Sequence, residues 1–367
     1  METKPVSGRI ASIDALRGFD MFWIMGADQF FTSLFQLWDF SWAKALKDQL
    51  EHSAWNGFTF YDLIFPLFLF LVGVSIPLAL EKRMAQGVSR WILCRHVLGR
   101  TAKLLFFGLL VNRLLDLNFA TQRWPGVLQR IALCYCIVSL AVLFTSRRTQ
   151  ALMGGLLLVG YWLILLWVPV PGWGAGVLTQ EGNLAGFLDR MLIPGRFCCY
   201  PFGDNEGLLS TLPALGTTLL GVMASYWLRS SRPAGLKTAG LAGAGLVSLL
   251  VAVAWNPFFP INKILWTSSY VLLAGGWSLL LLALFYWIID VRGWNRWAFP
   301  FIVIGMNPIT IYLAQALLDF GMIATIFTHG FVHHLGPYQA AFQAFSILVT
   351  KWLFLFFLYR QRIFLKA

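Results

Sequence analysis

One segment of the sequence combines residues suited to acid–base chemistry with a strongly apolar run. It reads EHSAWNGFTFYDLIFPLFLFLVG and covers residues 51–73. His52 is a candidate general base or acyl acceptor, because a neutral imidazole is available near pH 7. Asp62 follows in the same segment and could orient that imidazole. From these residues alone, a histidine that merely lies at a membrane interface among tryptophans is the simpler interpretation.

The first apolar segment, SIDALRGFDMFWIMGADQF, carries the charged residues Asp14, Arg17, Asp20 and Asp28. A charge inside a membrane-spanning helix costs about 2.5–3.5 kcal/mol on insertion scales, so each is a candidate functional residue. Asp14 and Arg17 lie on one helix face and could pair. That pair could be structural, or Arg17 could bind a phosphate group. Asp20 and Asp28 fall near one face, and nothing nearby in the sequence neutralises Asp28.

Further charges fall at the predicted outer ends of apolar segments. Asp62, Arg130, Asp204 and Glu206 would lie near one another if these ends meet. A structural ion pair between Asp62 and Arg130 would account for both charges. A polar cavity that opens to the outside is the alternative.

The remaining histidines and the five cysteines predict no metal site. Three histidines lie in THGFVHHLGP, without an acidic or cysteine partner nearby. The cysteines have no metal-ligand spacing and are interpreted as packing residues. Cys198 and Cys199 are adjacent, a geometry that disfavours a disulfide between them.

The composition indicates which elements position these residues. The chain of 367 residues is 58% hydrophobic and 12% charged, whereas soluble proteins average about 25% charged residues. Spanning helices need about 20 mostly apolar residues, and the runs do not alternate as β-barrel strands would. We therefore predict an all-α polytopic membrane protein, a bundle of about ten transmembrane helices. The predicted spans are 15–37, 57–80, 98–117, 127–145, 151–170, 208–228, 237–255, 264–289, 298–320 and 340–359.

The distribution of basic residues predicts the orientation. With ten spans and both termini in the cytoplasm, 19 of the 28 Lys and Arg residues fall inside and eight outside. This excess fits the positive-inside rule, so the net charge of +12 needs no nucleic-acid partner. Residues 1–367 are predicted to form one transmembrane domain, with 38–56 and 171–207 as outer segments. The basic stretch 81–103 lies inside.

Six blocks along the chain together resemble the heparan-α-glucosaminide N-acetyltransferase family, which includes a lysosomal transmembrane enzyme and bacterial relatives. In order, the blocks are SIDALRG (12–18), HSAWNGFTFYDLIFPLFLFLVG (52–73), GVLQRIALCY (126–135), DNEGLLSTLPA (204–214), PINKILWTSSYVL (260–272) and GMNPITIYL (305–313). The combination of HxxWNG…DLxFPxFxFxxG with PxNKxLW is specific, and the likeness runs through nearly the whole chain.

The resemblance implies a transmembrane acetyltransferase in a bacterial inner membrane. In such an enzyme, acetyl-CoA enters from the cytosol, and an amino sugar or glycan on the periplasmic side receives the acetyl group. The essential histidine of the family falls on His52, and an asparagine of the lysosomal enzyme falls on Asp28. With Asp62, these are the expected catalytic residues. A homodimer is expected only by analogy with the family.

The resemblance and the residue chemistry together imply two binding sets. The expected contacts to acetyl-CoA are Asp14, Arg17, Lys263 and Asn307, the last lying where a helix should break before Pro308. The expected contacts to the acceptor are Trp55, Asn56, Arg130, Asp204 and Glu206. Trp55 could stack on a sugar ring, and no metal is expected.

Two questions stay open at the level of sequence. His52 could be a general base or could itself accept the acetyl group. A transporter for a small sugar such as N-acetylglucosamine, without acyl chemistry, is the rival hypothesis, because polar residues in the first two spans suit it equally. Transfer of another acyl group to a cell-envelope polysaccharide is a third.

Overall fold

The computed structural model describes residues 10–365, and these residues are almost entirely helical. The first eight helices are α1 (Ala11–Phe22), α2 (Asp28–Phe35), α3 (Ser41–Gln49), α4 (Ile64–Ala85), α5 (Arg90–Val111), α6 (Val127–Phe144), α7 (Arg147–Trp167) and α8 (Leu184–Leu192). The others are α9 (Thr211–Leu228), α10 (Ala234–Trp255), α11 (Ser268–Phe285), α12 (Phe299–Gly305), α13 (Pro308–Leu317), α14 (Phe320–Val332) and α15 (Gln339–Arg360). Two short antiparallel strands, β1 (Cys199–Tyr200) and β2 (Gly203–Asp204), form a hairpin.

Six helical segments of the described chain are long and apolar enough to cross a membrane. They are Phe60–Ala85, Val127–Phe144, Arg147–Trp167, Ala234–Trp255, Ser268–Val291 and Phe320–Arg360. A seventh is obtained if α12 and α13 form one span, bent by 61° at the break before Pro308. The prediction of a helical membrane protein is confirmed, and so is the predicted break at Asn307.

Three of the ten predicted spans are helical but are not among the segments that are long and apolar enough to cross a membrane. The span 15–37 contains Asp20 and Asp28, and the span 98–117 contains Arg100 and Lys103. The span 208–228 is rich in glycine, serine and threonine. These polar residues lower the apolarity of the helices, so the structure does not confirm a count of ten.

Close helix contacts through small residues fix the position of the helices around the site. A Cβ atom at Gly73 of α4 would lie 1.9 Å from the carbonyl oxygen of Thr218 in α9. A Cβ atom at Gly18 of α1 would lie 1.7 Å from the carbonyl oxygen of Phe301 in α12. Only glycine permits such an approach, which is a common way of packing helices in membranes.

The first long helix is interrupted where it approaches the site. A π-helical turn, Trp23–Ala27, separates α1 from α2 and contains Gly26 with a φ of 113°. The ammonium group of Lys351 in α15 donates a hydrogen bond to the carbonyl oxygen of Met25 at 2.7 Å. Because the membrane interior offers no water to irregular backbone, this lysine stabilises the turn. Asp28 consequently stands at the start of α2.

The two predicted outer segments contain regular structure. The segment 38–56 contains α3, and 171–207 contains α8 and the β1–β2 hairpin. Cys198 and Cys199 are joined by a disulfide, so the expectation that adjacency would prevent it was wrong. Cys199 takes a positive φ of 81°.

Candidate active site

His52 and Asp62 form a hydrogen-bonded pair just before α4. His52 Nδ1 lies 2.8 Å from Asp62 Oδ1. The carboxylate has no exposed surface, whereas 53% of the histidine side chain is exposed. An ionised carboxylate only accepts hydrogen bonds, so this contact favours a proton on Nδ1 and a lone pair on Nε2. The sequence thus predicted both members of an imidazole–carboxylate pair that the structure brings together.

Asp62 is held in place by the turn that leads into α4. Thr59 and Asp62 form a capping box around the 3-10 turn Phe60–Leu63. The backbone N–H and hydroxyl groups of Ser53 also donate to Asp62 Oδ2, at 3.2 and 2.8 Å. This reciprocal bonding satisfies donors that a helix start leaves without partners. The carboxylate therefore organises its turn as well as the imidazole.

Lys263, from the segment between α10 and α11, completes the group around the imidazole. Its Nζ atom lies 2.9 Å from His52 Nδ1, 3.3 Å from His52 Nε2 and 3.2 Å from Asp62 Oδ1. Burial lowers the pKa of Lys263, although the nearby Asp62 carboxylate acts in the opposite direction. The amine is placed to exchange a proton with the imidazole. Sequence reasoning grouped Lys263 with the acetyl-CoA contacts, and the structure places it beside His52.

Asn56 and Trp55 connect this group to two other parts of the chain. The Nδ2 atom of Asn262 donates to the Asn56 side-chain oxygen at 3.1 Å, which joins the HSAWNG and PINK sequences. The indole N–H of Trp55 donates to the carbonyl oxygen of Leu178 at 2.9 Å. Its ring lies 5.6 Å from the Tyr200 ring, measured between centroids. Asn56 is thus joined to the segment that carries Lys263, and Trp55 contacts the segment 171–207.

A tyrosine that sequence reasoning missed, Tyr61, lies against His52. Its ring centroid lies 4.9 Å from that of His52. The available signal was the position of Tyr61 directly before Asp62. Asp28, predicted as a catalytic residue, lies half-buried at the start of α2.

Asp20 lies deeper in the bundle. Its side chain has no exposed surface, and neither carboxylate oxygen has a hydrogen-bond partner among the described residues. Met21 and Ile24, next to it on α1 and the following π-turn, line an apolar cavity between α1, α4, α6 and α13. A carboxyl group in such surroundings is costly unless it stays neutral or receives donors from a ligand.

A second charged cluster joins the predicted outer segment 171–207 to the segment before α6. Arg123 forms two hydrogen bonds with Asp204, at 2.7 and 2.8 Å, and contacts Glu206. Burial raises the pKa of Asp204, but the Arg123 guanidinium outweighs it and holds that pKa below its usual range. Burial raises the pKa of Glu206. Arg123 was missed because it lies in a connecting segment.

Arg130, on α6, is buried near this cluster and does not pair with Asp62. It donates to the Ser210 hydroxyl and to the carbonyl oxygen of Gly207, and its guanidinium carbon lies 4.9 Å from the centroid of the Trp266 ring. Asp62 instead contacts the imidazole of His52 and the ammonium group of Lys263. The ion pair between Asp62 and Arg130, which the sequence allowed, is therefore not formed.

The remaining predicted contacts to acetyl-CoA lie around α1 and α12. Arg17 pairs with Asp14 at 3.2 Å, as their spacing predicts, and donates to the Ser75 hydroxyl at 2.7 Å. It also contacts the carbonyl oxygen of Gly305, two residues before Asn307. Asn307 begins α13 and donates to the carbonyl oxygen of Ile363 at 3.0 Å. Within residues 10–365, no group of three or more His, Cys, Asp or Glu side chains is arranged to hold a metal ion.

The fold and the site define a polytopic helical membrane protein with an imidazole, a carboxylate and a lysine grouped at the start of one span. A family model described as a domain of unknown function (DUF5009) matches residues 9–170. The heparan-alpha-glucosaminide N-acetyltransferases of Homo sapiens and Mus musculus are each 30% identical to the chain over 326 residues, 73% of this chain and 49% of theirs. The chain is thus related to the heparan-alpha-glucosaminide N-acetyltransferases, as the sequence blocks indicated. It spans about half the length of these curated relatives.

Proposed function

We propose that this protein is a transmembrane acetyltransferase that uses cytosolic acetyl-CoA and acts on an amino sugar or glycan at the periplasmic side. The observation that carries the proposal is the His52–Asp62 pair at 2.8 Å, with an exposed imidazole and a buried carboxylate, in a chain related to N-acetyltransferases. The pair is suited to take a proton from an attacking amine or to accept an acyl group.

His52 and Asp62 would drive the transfer in the following way. The acceptor amine attacks the thioester carbonyl, the N–C bond forms, the C–S bond breaks, and the coenzyme leaves as a thiolate. His52 Nε2 takes the amine proton, and Asp62 stabilises the imidazolium that results. That proton then returns to the thiolate, with Lys263 close enough to share it. If His52 is instead an acyl carrier, Nε2 attacks the thioester first and the amine then removes the acetyl group.

The donor would enter at the end of the bundle that carries Arg17. Arg17 and the basic stretch 81–103 would meet the phosphate groups of acetyl-CoA, since guanidinium groups bind phosphate in a bidentate manner. Asp14 orients Arg17, and Asn307 lies two residues beyond the carbonyl that Arg17 contacts. Along α1, the thioester would then pass Asp20 and reach Asp28.

The acceptor would bind where the histidine is exposed. Trp55 would stack on the sugar ring, and Asn56 would hydrogen-bond to its hydroxyl groups. Arg130 and Asp204 are buried and already bonded. They would contribute with Glu206 by shaping the segment 171–207 over the acceptor.

This function requires a path across the membrane, and ten spans would provide it. The six apolar segments, the bent α12–α13 pair, the α1–α2 unit, α5 and α9 together make ten. Both termini would then face the cytoplasm of a bacterial inner membrane, with 38–56 and 171–207 outside. Residues 1–367 would form one acyltransferase domain, and a homodimer is proposed by analogy with the family alone.

The direct test is His52→Ala in reconstituted vesicles, with His334→Ala, at an exposed histidine in the 3-10 turn before α15, as the matched control. We expect His52→Ala to abolish transfer of labelled acetyl groups across the membrane while insertion and acetyl-CoA binding persist. His334→Ala should transfer normally. Near-normal transfer by His52→Ala would refute the catalytic assignment. Movement of intact sugar without consumption of acetyl-CoA would support the rival transporter.

A further inference from the structure

Lys263 places an amine of the protein itself beside the candidate general base. Its Nζ atom lies 2.9 Å from His52 Nδ1 and 3.3 Å from His52 Nε2. The lysine side chain is mostly buried, with 14% of its surface exposed. Any acyl group that reaches Nε2 therefore lies within contact distance of this amine as well as of an acceptor.

Contacts of the segment around Lys263 hold the amine in this place. The backbone N–H of Gly57 donates to the carbonyl oxygen of Ile261 at 2.9 Å. The side-chain oxygen of Asn262 accepts from the N–H of Leu265 at 2.8 Å and closes a turn around the lysine. None of these bonds involves the Lys263 side chain, so the position of the amine is set by the segment that carries it.

Two opposing effects decide how often this amine is neutral. Burial disfavours the ammonium form, whereas Asp62, 3.2 Å from Nζ, and the Glu206 carboxylate favour it. Burial is the larger effect, so the pKa of Lys263 is lowered. His52 is the other titratable group in contact with Nζ. Because only a neutral amine attacks a carbonyl carbon, Lys263 is a better nucleophile near neutral pH than an exposed lysine.

We propose that Lys263 is a self-acetylation site, which takes the acetyl group from the acyl donor when no acceptor amine is bound; this inference rests on the proposed function. With acetyl-CoA, Nζ attacks the thioester carbonyl, the N–C bond forms, the C–S bond breaks, and the coenzyme leaves as a thiolate. His52 Nε2 takes the proton from Nζ and passes it to the thiolate. The products are acetyl-lysine and coenzyme A. The new amide is uncharged and fills the space beside Nε2, so the modified protein no longer transfers acetyl groups.

The test is peptide mass mapping after incubation with isotopically labelled acetyl-CoA in the absence of an acceptor. General-base assistance contributes about 10²-fold or more, so Lys263 should be acetylated at least about tenfold faster than Lys44, an exposed lysine of α3. His52→Ala should lower the rate at Lys263 to that at Lys44. The matched control His334→Ala should be labelled like the wild type.

A second donor, p-nitrophenyl acetate, separates this inference from the proposed function, because this small ester needs no coenzyme site. It should acetylate Lys263 with the same dependence on His52, and p-nitrophenolate is the leaving group. Preferential labelling of Lys263 by the ester but not by acetyl-CoA would support self-acetylation and refute acetyl-CoA as the donor. Labelling of Lys263 no faster than Lys44 by both reagents would overturn self-acetylation, and so would labelling that persists in His52→Ala.

Discussion

Replacing Asp62 by asparagine should test how much catalysis depends on the orientation of the His52 imidazole, because the imidazole itself stays in place. In the native protein, Asp62 accepts hydrogen bonds from His52, Ser53 and Thr59 and lies 3.2 Å from Lys263 Nζ. An asparagine amide can present N–H groups where the carboxylate accepts, which favours the wrong imidazole tautomer. Charge-assisted bonds contribute about 1.5–3 kcal/mol each, so losing those to His52 and Lys263 amounts to about 3–6 kcal/mol. We therefore expect kcat to fall by about 10²-fold to 10⁴-fold.

The assay is transfer of labelled acetyl groups by purified protein in vesicles, with kcat and KM measured separately. The thermal transition of each variant is recorded to correct for loss of fold. Asp319→Asn is the matched control, because Asp319 caps α14 through the Met322 N–H group and is remote from the histidine in sequence. A fall in kcat of less than about threefold in Asp62→Asn, with the fold intact, would refute the orienting role.

Three further predictions test the surroundings of the site. The lowered pKa of Asp204 stabilises the fold above its unfolded value of about 3.9, and this stabilisation is lost as the pH falls through the lower folded value. Limited proteolysis of the segment 171–207 should therefore accelerate below about pH 4. Arg123→Ala should remove this dependence of the proteolysis rate on pH. A variant with the same pH profile as the native protein would contradict a stabilising role of the Arg123–Asp204 pair. Lys351→Met should lower kcat by up to about tenfold, because the carbonyl at the π-turn loses its donor, and an unaltered kcat would argue against that support. Gly73→Ala should destabilise the protein by about 1–3 kcal/mol or more in thermal melting. Gly155→Ala should not, because a Cβ atom at Gly155 would meet open space. Equal melting temperatures of the two variants would exclude the close contact between Gly73 and Thr218.

The sequence predicts the helices of this protein well where long apolar runs carry the signal. The spans around α6, α10 and α11 agree with the observed helices to within a few residues. The break at Asn307 was predictable because proline restricts the residue before it. The π-turn after α1 was not, because Gly26 interrupts a pattern that otherwise continues as one helix. The helix α14 was also missed, since its sequence was assigned to a loop between spans.

The site was predictable only within its sequence blocks. His52 and Asp62 lie in one segment, so their spacing already suggested a pair. Lys263 is 211 residues away from His52 in sequence, and its place beside the imidazole depends on the packing of α10 and α11. In the sequence, Tyr61 looks like part of an apolar run, but in the structure its ring lies against that of His52. Contacts of this kind come from tertiary structure, which local patterns do not encode.

The two halves of the His52–Asp62 pair differ in what their removal would reveal. Without the imidazole, Asp62 would still receive hydrogen bonds from Ser53 and Thr59 and would keep Lys263 as a charged neighbour. Its burial would therefore stay compensated, and the turn into α4 should keep its shape. Removing the carboxylate instead would leave several donors without a partner and would disturb turn and imidazole together. A loss of transfer in His52→Ala can thus be assigned to chemistry, whereas a loss in Asp62→Asn requires the stability measurement before it is assigned.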